Sequence, residues 1–105
     1  MNIIYELDEE INASGHTPHD IKWLALNYGS YKTPYIRLKP TEGLEGYNQA
    51  VELYSLIDYN DGFGSQELGG IIVFNDGSWL DRREYDGSEW WEFQQTPKIE
   101  DYNNN

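Results

Sequence analysis

The stretch NDGSWLDRREYDGSEWWEF, residues 75 to 93, constrains the fold more than any other part of the chain. It holds two Asp-Gly pairs, at 76–77 and 86–87, each set between runs rich in Trp, Tyr, Leu and Phe. Asp-Gly tolerates the positive φ that both central residues of a type I′ turn need, so between β-prone runs it is a strong hairpin signal. The stretch therefore predicts a three-stranded antiparallel meander over residues 70–75, 78–85 and 89–95.

With two-residue loops the register follows by counting outward. Phe74 faces Trp79, Val73 faces Leu80 and Ile72 faces Asp81. Across the second turn Glu84 faces Glu89, Arg83 faces Trp90, Arg82 faces Trp91, Asp81 faces Glu92 and Leu80 faces Phe93. One face then carries Val73, Leu80 and Phe93 in a row, flanked by Ile71 and Trp91, and is expected to be core. The other carries Ile72, Asp81 and Glu92, with Arg83 placed for a cation–π contact on Trp90. Two like-charge pairs, Asp81/Glu92 and Glu84/Glu89, lie directly opposite, each costing a few tenths to about 1 kcal/mol. A local rule broken without visible local gain marks a candidate functional surface. A longer loop at either turn would shift the pairing and remove that reading.

The rest of the chain supplies the cover. Residues 1–7 read as a short strand, with Ile3 and Tyr5 facing one way, followed by the acidic run Asp8-Glu9-Glu10. Residues 12–19 are loop-like. Thr17-Pro18-His19-Asp20 has the look of a helix start, Thr as N-cap and Pro at the first position. The following run, Ile21 to Leu26, is short and reads instead as a strand. Tyr35-Ile36-Arg37-Leu38-Lys39 alternates cleanly between Pro34 and Pro40 and predicts another strand. Residues 44–57 predict the main helix, because Leu44, Tyr47, Val51, Tyr54 and Ile57 fall on one helical stripe. Residues 58–64 break it with Asp, Asn and Gly. Residues 1–96 are expected to form one domain and 97–105 a frayed tail.

Charge limits the partners. Nineteen Asp and Glu against seven Lys and Arg give −12. Such a chain repels nucleic acid and anionic membranes and attracts basic protein surfaces. Cysteine is absent, which excludes disulfides and thiolate metal sites and fits a reducing cytosol. No apolar run approaches the roughly 20 residues of a membrane span, and the start lacks the basic and apolar regions of a signal peptide.

Motifs that carry chemistry are weak. Asp58-Tyr59-Asn60-Asp61-Gly62 invites a calcium reading, but Gly62 and Glu67 fall at the wrong positions of a calcium loop. Paired carboxylates and tryptophans suit glycoside hydrolysis, yet a chain this short offers little room for the cleft. A plain binding module with exposed Trp23, Trp79 or Trp90 fits better. His16 and His19 are three apart but sit in a polar loop and are expected to be solvated. Ser78 and Ser88 follow glycines in turns, with both histidines far off in sequence, so no nucleophile motif is read. The negative charge has a sharper use. Carboxylates on alternate strand residues recur every ~6.8 Å, the same order as successive backbone phosphates, so a strand studded with them can occupy a groove meant for nucleic acid.

The blocks Asp20-Ile21-Lys22-Trp23, the run 58–67 and the run 78–93 resemble a family of small uncharacterised proteins from bacteriophages and mobile elements of gut-type bacteria. The resemblance implies no activity and no site residues. At class level, small size, acidity and absence of cysteine are similar to phage inhibitors of host defence, such as anti-CRISPR and anti-restriction proteins. The sequence thus predicts an α+β domain: a mostly antiparallel twisted sheet of five or six strands with one main helix on one face. The expected role is non-catalytic, needs no cofactor or metal, and is played in the host cytosol. It is docking on a basic nucleic-acid-binding surface of a defence nuclease, through Asp81, Glu84, Tyr85, Asp86, Glu89, Trp90 and Glu92. The competing expectation is a carbohydrate- or protein-binding module built on exposed aromatics.

Overall fold

Asn2 sets the first element. In the computed structural model, which describes residues 2–30, 33–58 and 67–97, its side-chain oxygen accepts from the backbone N–H of Ile4 and Tyr5, both at 3.0 Å. This N-cap opens α1, Ile3–Ala13, where the sequence suggested a strand over 1–7. The strand expectation rested on Ile3 and Tyr5 sharing a face. In the structure Tyr5 is exposed, while Ile3, Ile4, Leu7 and Ile11 are buried. That spacing is a helical stripe, and a cap that satisfies two otherwise orphaned amides makes the helix the cheaper solution.

The chain then turns through a single 3₁₀ turn, Pro18–Asp20. The Thr17 N–H donates to the Asp20 carboxylate at 2.8 Å, so the helix-start signal is genuine but spent within one turn. The strand expected at 21–26 follows as β1, Ile21–Ser30. It pairs antiparallel with β2, Thr33–Glu42, which contains both Pro34 and Pro40. The main helix, α2, spans Gly43–Tyr54. Its buried face is Gly46, Ala50 and Tyr54, flanked by half-buried Tyr47 and Val51, and Leu44 is exposed. The expected stripe is rotated because a small residue decides the approach: a Cβ at 46 would lie 2.6 Å from the Thr41 carbonyl oxygen. Tyr54 then reaches down to donate its hydroxyl to Ile36 O at 2.8 Å.

β3, Leu68–Phe74, β4, Trp79–Tyr85, and β5, Ser88–Gln94, form the expected meander. All five strands join one antiparallel sheet in the order β2-β1-β3-β4-β5. The fold is α+β. Both helices lie on the same side of the sheet and run antiparallel to each other. The start of α1 is tied beyond the end of α2 by Ile3 N–H to Ile57 O, 3.1 Å. Tyr47 near the start of α2 donates to Asp8 in the body of α1, 2.6 Å. The core between helices and sheet is Ile3, Leu7 and Ile11 against Leu24, Leu26, Leu68, Ile72, Phe74 and Leu80, each worth roughly 1.5–3 kcal/mol on burial. Among the described residues no helix is long and apolar enough to cross a membrane.

The second hairpin has the expected register: Leu80 faces Phe93, Arg82 faces Trp91 and Glu84 faces Glu89. The first is shifted by one residue. Ile72 faces Leu80 and Ile71 faces Asp81, because Asn75 joins the turn. The loop is three residues long, with Gly77 at φ 88 as its only left-handed member, the geometry of a type I turn closed by a glycine bulge. The slip exchanges faces: Ile72 enters the core, and Ile71 and Val73 go to the open side.

Candidate functional site

The β4–β5 ladder runs further than the β3–β4 ladder. β4 pairs with β3 only at Trp79, Leu80 and Asp81, but with β5 all the way to Tyr85–Ser88. Its tip, Glu84 to Ser88, is therefore not part of the ladder with β3, and it is closed by Asp86 at φ 52 and Gly87 at φ 84. Both left-handed residues are those the Asp-Gly signal called for.

The seven residues expected to bind a partner divide into two groups. Glu84, Tyr85 and Asp86 are exposed at the tip, Tyr85 at 76%. The Glu84 carboxylate accepts from Gly87 N–H at 2.9 Å, which stiffens the turn. Trp90, at 38% exposure, stands beside Glu92 on the open face and donates its indole N–H to it at 3.3 Å. Asp81 and Glu89 are occupied within the chain. Asp81 takes two hydrogen bonds from Arg83, at 2.6 and 3.2 Å, and one from the Trp79 indole at 3.2 Å. The Arg83 guanidinium beside it holds its carboxyl below the usual carboxylate range.

Glu89 corrects the expectation most sharply. It is 5% exposed. Its carboxylate accepts from the backbone N–H of Glu67 and Leu68, at 2.8 and 3.2 Å, and from Arg82 at 3.2 Å. Arg82, with no side-chain exposure, also donates to Glu6 of α1 at 2.6 Å. One buried guanidinium thus clamps α1 to the hairpin, and one buried carboxylate ties the hairpin back to the first amides of β3. The cation–π contact also falls elsewhere than expected: Arg82 lies 5.4 Å from the Trp91 ring centroid, while Arg83 turns to Asp81. Both like-charge pairs exist, and each is relieved by its own arginine. A regular ladder of free carboxylates does not form on either face of the hairpin. Glu84 and Glu89 point to the helix side and Asp81 and Glu92 to the open side, and further acids, Asp8, Glu9, Glu45 and Glu52, are exposed on the helices.

The open face carries aromatic and apolar residues. Trp23, Val73 and Trp79 form one cross-strand row, and Ala25 and Ile71 the next. All are half-buried, with no helix over them. Cations gather at the other end of the sheet, where Lys22, Arg37 and Lys39 are exposed on β1 and β2.

One constellation escaped the sequence altogether. His16, expected in solvent, stacks on Phe74 with ring centroids 3.9 Å apart and planes 7° apart. Its Nε2 lies 2.8 Å from Asp76 and 3.5 Å from Ser78 Oγ, and its Nδ1 lies 3.0 Å from Ser14 Oγ. A Ser-His-Asp trio is therefore assembled across 62 positions of sequence. It is not wired as a nucleophile. Asp76 and Ser78 meet the same ring nitrogen, so His16 does not stand between them as the middle member of a triad, and the Ser78 hydroxyl donates directly to Asp76 at 2.5 Å. Hydrogen bonds from Ser78, then His16, pull the Asp76 carboxyl below its ordinary range. The cluster pins the loop after α1 to the first hairpin turn. Of the calcium reading, residues 59–62 lie outside the described residues, and so do residues 98–105 of the expected tail 97–105. Among the described residues no group of three or more His, Asp or Glu is gathered to hold a metal.

No protein-family model, curated protein or solved structure matches the chain.

Proposed function

We propose that this chain is a non-catalytic acidic binding protein whose β4–β5 tip docks on a basic protein surface, of the kind a host-defence nuclease uses to hold nucleic acid. The observation that supports this reading is the composition of the tip. Among the described residues no cation pairs with the Glu84 or Asp86 carboxylate, and Tyr85 and Trp90 lie exposed near them. Aromatic anchors ringed by charge are the usual content of an interface centre and its rim. The net charge of −12 adds long-range attraction to any basic partner. The class-level likeness to small acidic phage inhibitors of host defence supplies the choice of a defence nuclease. The carboxylate ladder is not part of the reading; the docking element is a compact tip.

The test is capture of a basic partner from host lysate at low and high salt, with wild type and with Glu84→Lys plus Asp86→Lys. Salt-sensitive capture that the double variant loses is the expected outcome. Capture indifferent to both salt and charge reversal would falsify the reading. The second reading, a carbohydrate- or protein-binding module, draws on a different observation: Trp23, Trp79 and Trp90 on the uncovered face. Quenching of tryptophan fluorescence on titration with oligosaccharides, retained at high salt, would favour it.

A further inference from the structure

The two edges of the sheet are built differently. β2 carries Pro34, Pro40, Arg37 and Lys39, and its pairing with β1 breaks register twice. Prolines, basic side chains and irregular pairing are the standard devices that keep an edge from accepting another strand. β5 has none of them. Its sequence, Ser88–Gln94, contains no proline and no basic residue, and its pairing with β4 runs without a shift from Gln94 to Ser88.

Which backbone groups of β5 face outward follows from the turn. Tyr85 and Ser88 close a two-residue loop, so they form a hydrogen-bonded pair, and such pairs alternate along an antiparallel ladder. Ser88, Trp90, Glu92 and Gln94 therefore bond to β4. The N–H and C=O groups of Glu89, Trp91 and Phe93 point away from it, and no hydrogen bond from another described residue meets them. The side chains of Glu89 and Trp91 turn to the covered face, each 5% exposed, so they leave the outward backbone groups of the edge unobstructed.

We propose that β5 is a strand-addition site, and that its occupant is an extended segment of a partner protein with Lys or Arg at alternate positions. Charge selects that occupant. Glu92 and Trp90 line the open side of the edge, and Glu84 and Asp86 stand at its tip end. Alternate cations on an added strand would meet the carboxylates and the face of Trp90. The same charges oppose a second copy: self-pairing of β5 sets Glu92 and Glu89 of two strongly acidic chains against each other, with no basic residue on either strand. This inference rests on the docking reading above and specifies how the partner is held.

The experiment uses the full chain, isotopically labelled, and a capped eight-residue peptide of alternating Lys and Val, with an alternating Glu and Val peptide beside it. Binding of the Lys–Val peptide should slow amide exchange at Glu89, Trp91 and Phe93 and leave Ser88, Trp90 and Glu92 as they were. Phe93→Pro deletes one outward donor and blocks the edge without touching the β4 ladder, so it should weaken the peptide by about tenfold. Salt-sensitive binding that leaves those three amides unprotected and tolerates Phe93→Pro overturns strand addition and leaves tip docking standing. Equal protection by the Glu–Val peptide overturns the basic occupant and the docking reading together. Protection of the three amides in the free chain, rising with its concentration, makes a second copy the occupant and overturns the proposal.

Discussion

The two faces of the hairpin use the same residue types for opposite ends. On the covered face Arg82 and Glu89 are buried, bonded to each other, and recruited to hold α1 and β3 in place. On the open face Arg83 and Asp81, one step either side of Arg82 on β4, pair in reach of solvent. In the tip, Glu84 lies directly opposite Glu89 yet is exposed. Adjacent positions in one short sequence thus divide into charges that hold the fold and charges left for a partner. Strand parity separates Arg82 from Arg83, whereas Glu84 and Glu89 share a face and differ in that Glu89 meets Arg82 and the amides of Glu67 and Leu68.

The comparison is most easily broken at Arg82. Its replacement by Ala should cost about 3–5 kcal/mol in urea unfolding, because Glu89 is left charged and buried without its partner. A loss below 1 kcal/mol, on the order of a surface pair, would place Arg82 on the wrong side of the division. Gly46→Ala comes next. The added methyl meets the Thr41 carbonyl and the Leu24 side chain, and the overpacking should cost about 1–3 kcal/mol, read as a lowered thermal midpoint. A smaller effect is expected from Tyr54→Phe, about 1 kcal/mol for a buried hydroxyl bond. It carries a pH signature. Burial pushes the Tyr54 phenol up to about 12 and, with help from Asp8, the Tyr47 phenol likewise. The neutral phenol is the form the fold prefers, so this stability is complete below pH 10 and is lost as the pH climbs toward 12. Stability curves across that window should flatten in Tyr54→Phe and Tyr47→Phe; an unchanged slope would remove the burial argument. The smallest effects belong to the open side. Arg83→Ala, and Glu84→Lys with Asp86→Lys, should each move stability by no more than about 0.5 kcal/mol, while the double reversal removes partner capture. A large drop in stability there would show that the tip charges also serve the fold.

Much of the fold was readable, and the failures have specific causes. The Asp-Gly at 86–87 gave the second hairpin its register. The Asp-Gly at 76–77 misled, because Asn75 before it adds a third loop residue, and one residue is enough to exchange the faces of β3. α1 was hidden by the alternation of Ile3 and Tyr5, although the cap at Asn2 and the spacing of Ile4, Leu7 and Ile11 were there to be seen. The face of α2 turned on Gly46 and Ala50, small residues that hydrophobic patterns undervalue. The burial of Arg82 and Glu89 was legible in principle: the correct register already placed Arg82 two residues from Leu80 and opposite Trp91, on the core side. The His16 cluster had no sequence signal at all, since only the fold brings the loop after α1 to the turn at Asp76.

The uneven finish of the two sheet edges also bears on handling. Among the described residues, carboxylates are the gatekeepers beside Trp90-Trp91-Glu92-Phe93, and salt screens them. At high ionic strength that aromatic margin becomes a template for fibre-like stacking. Turbidity on addition of salt should then come from the native sheet, before unfolding, and Phe93→Lys should delay it.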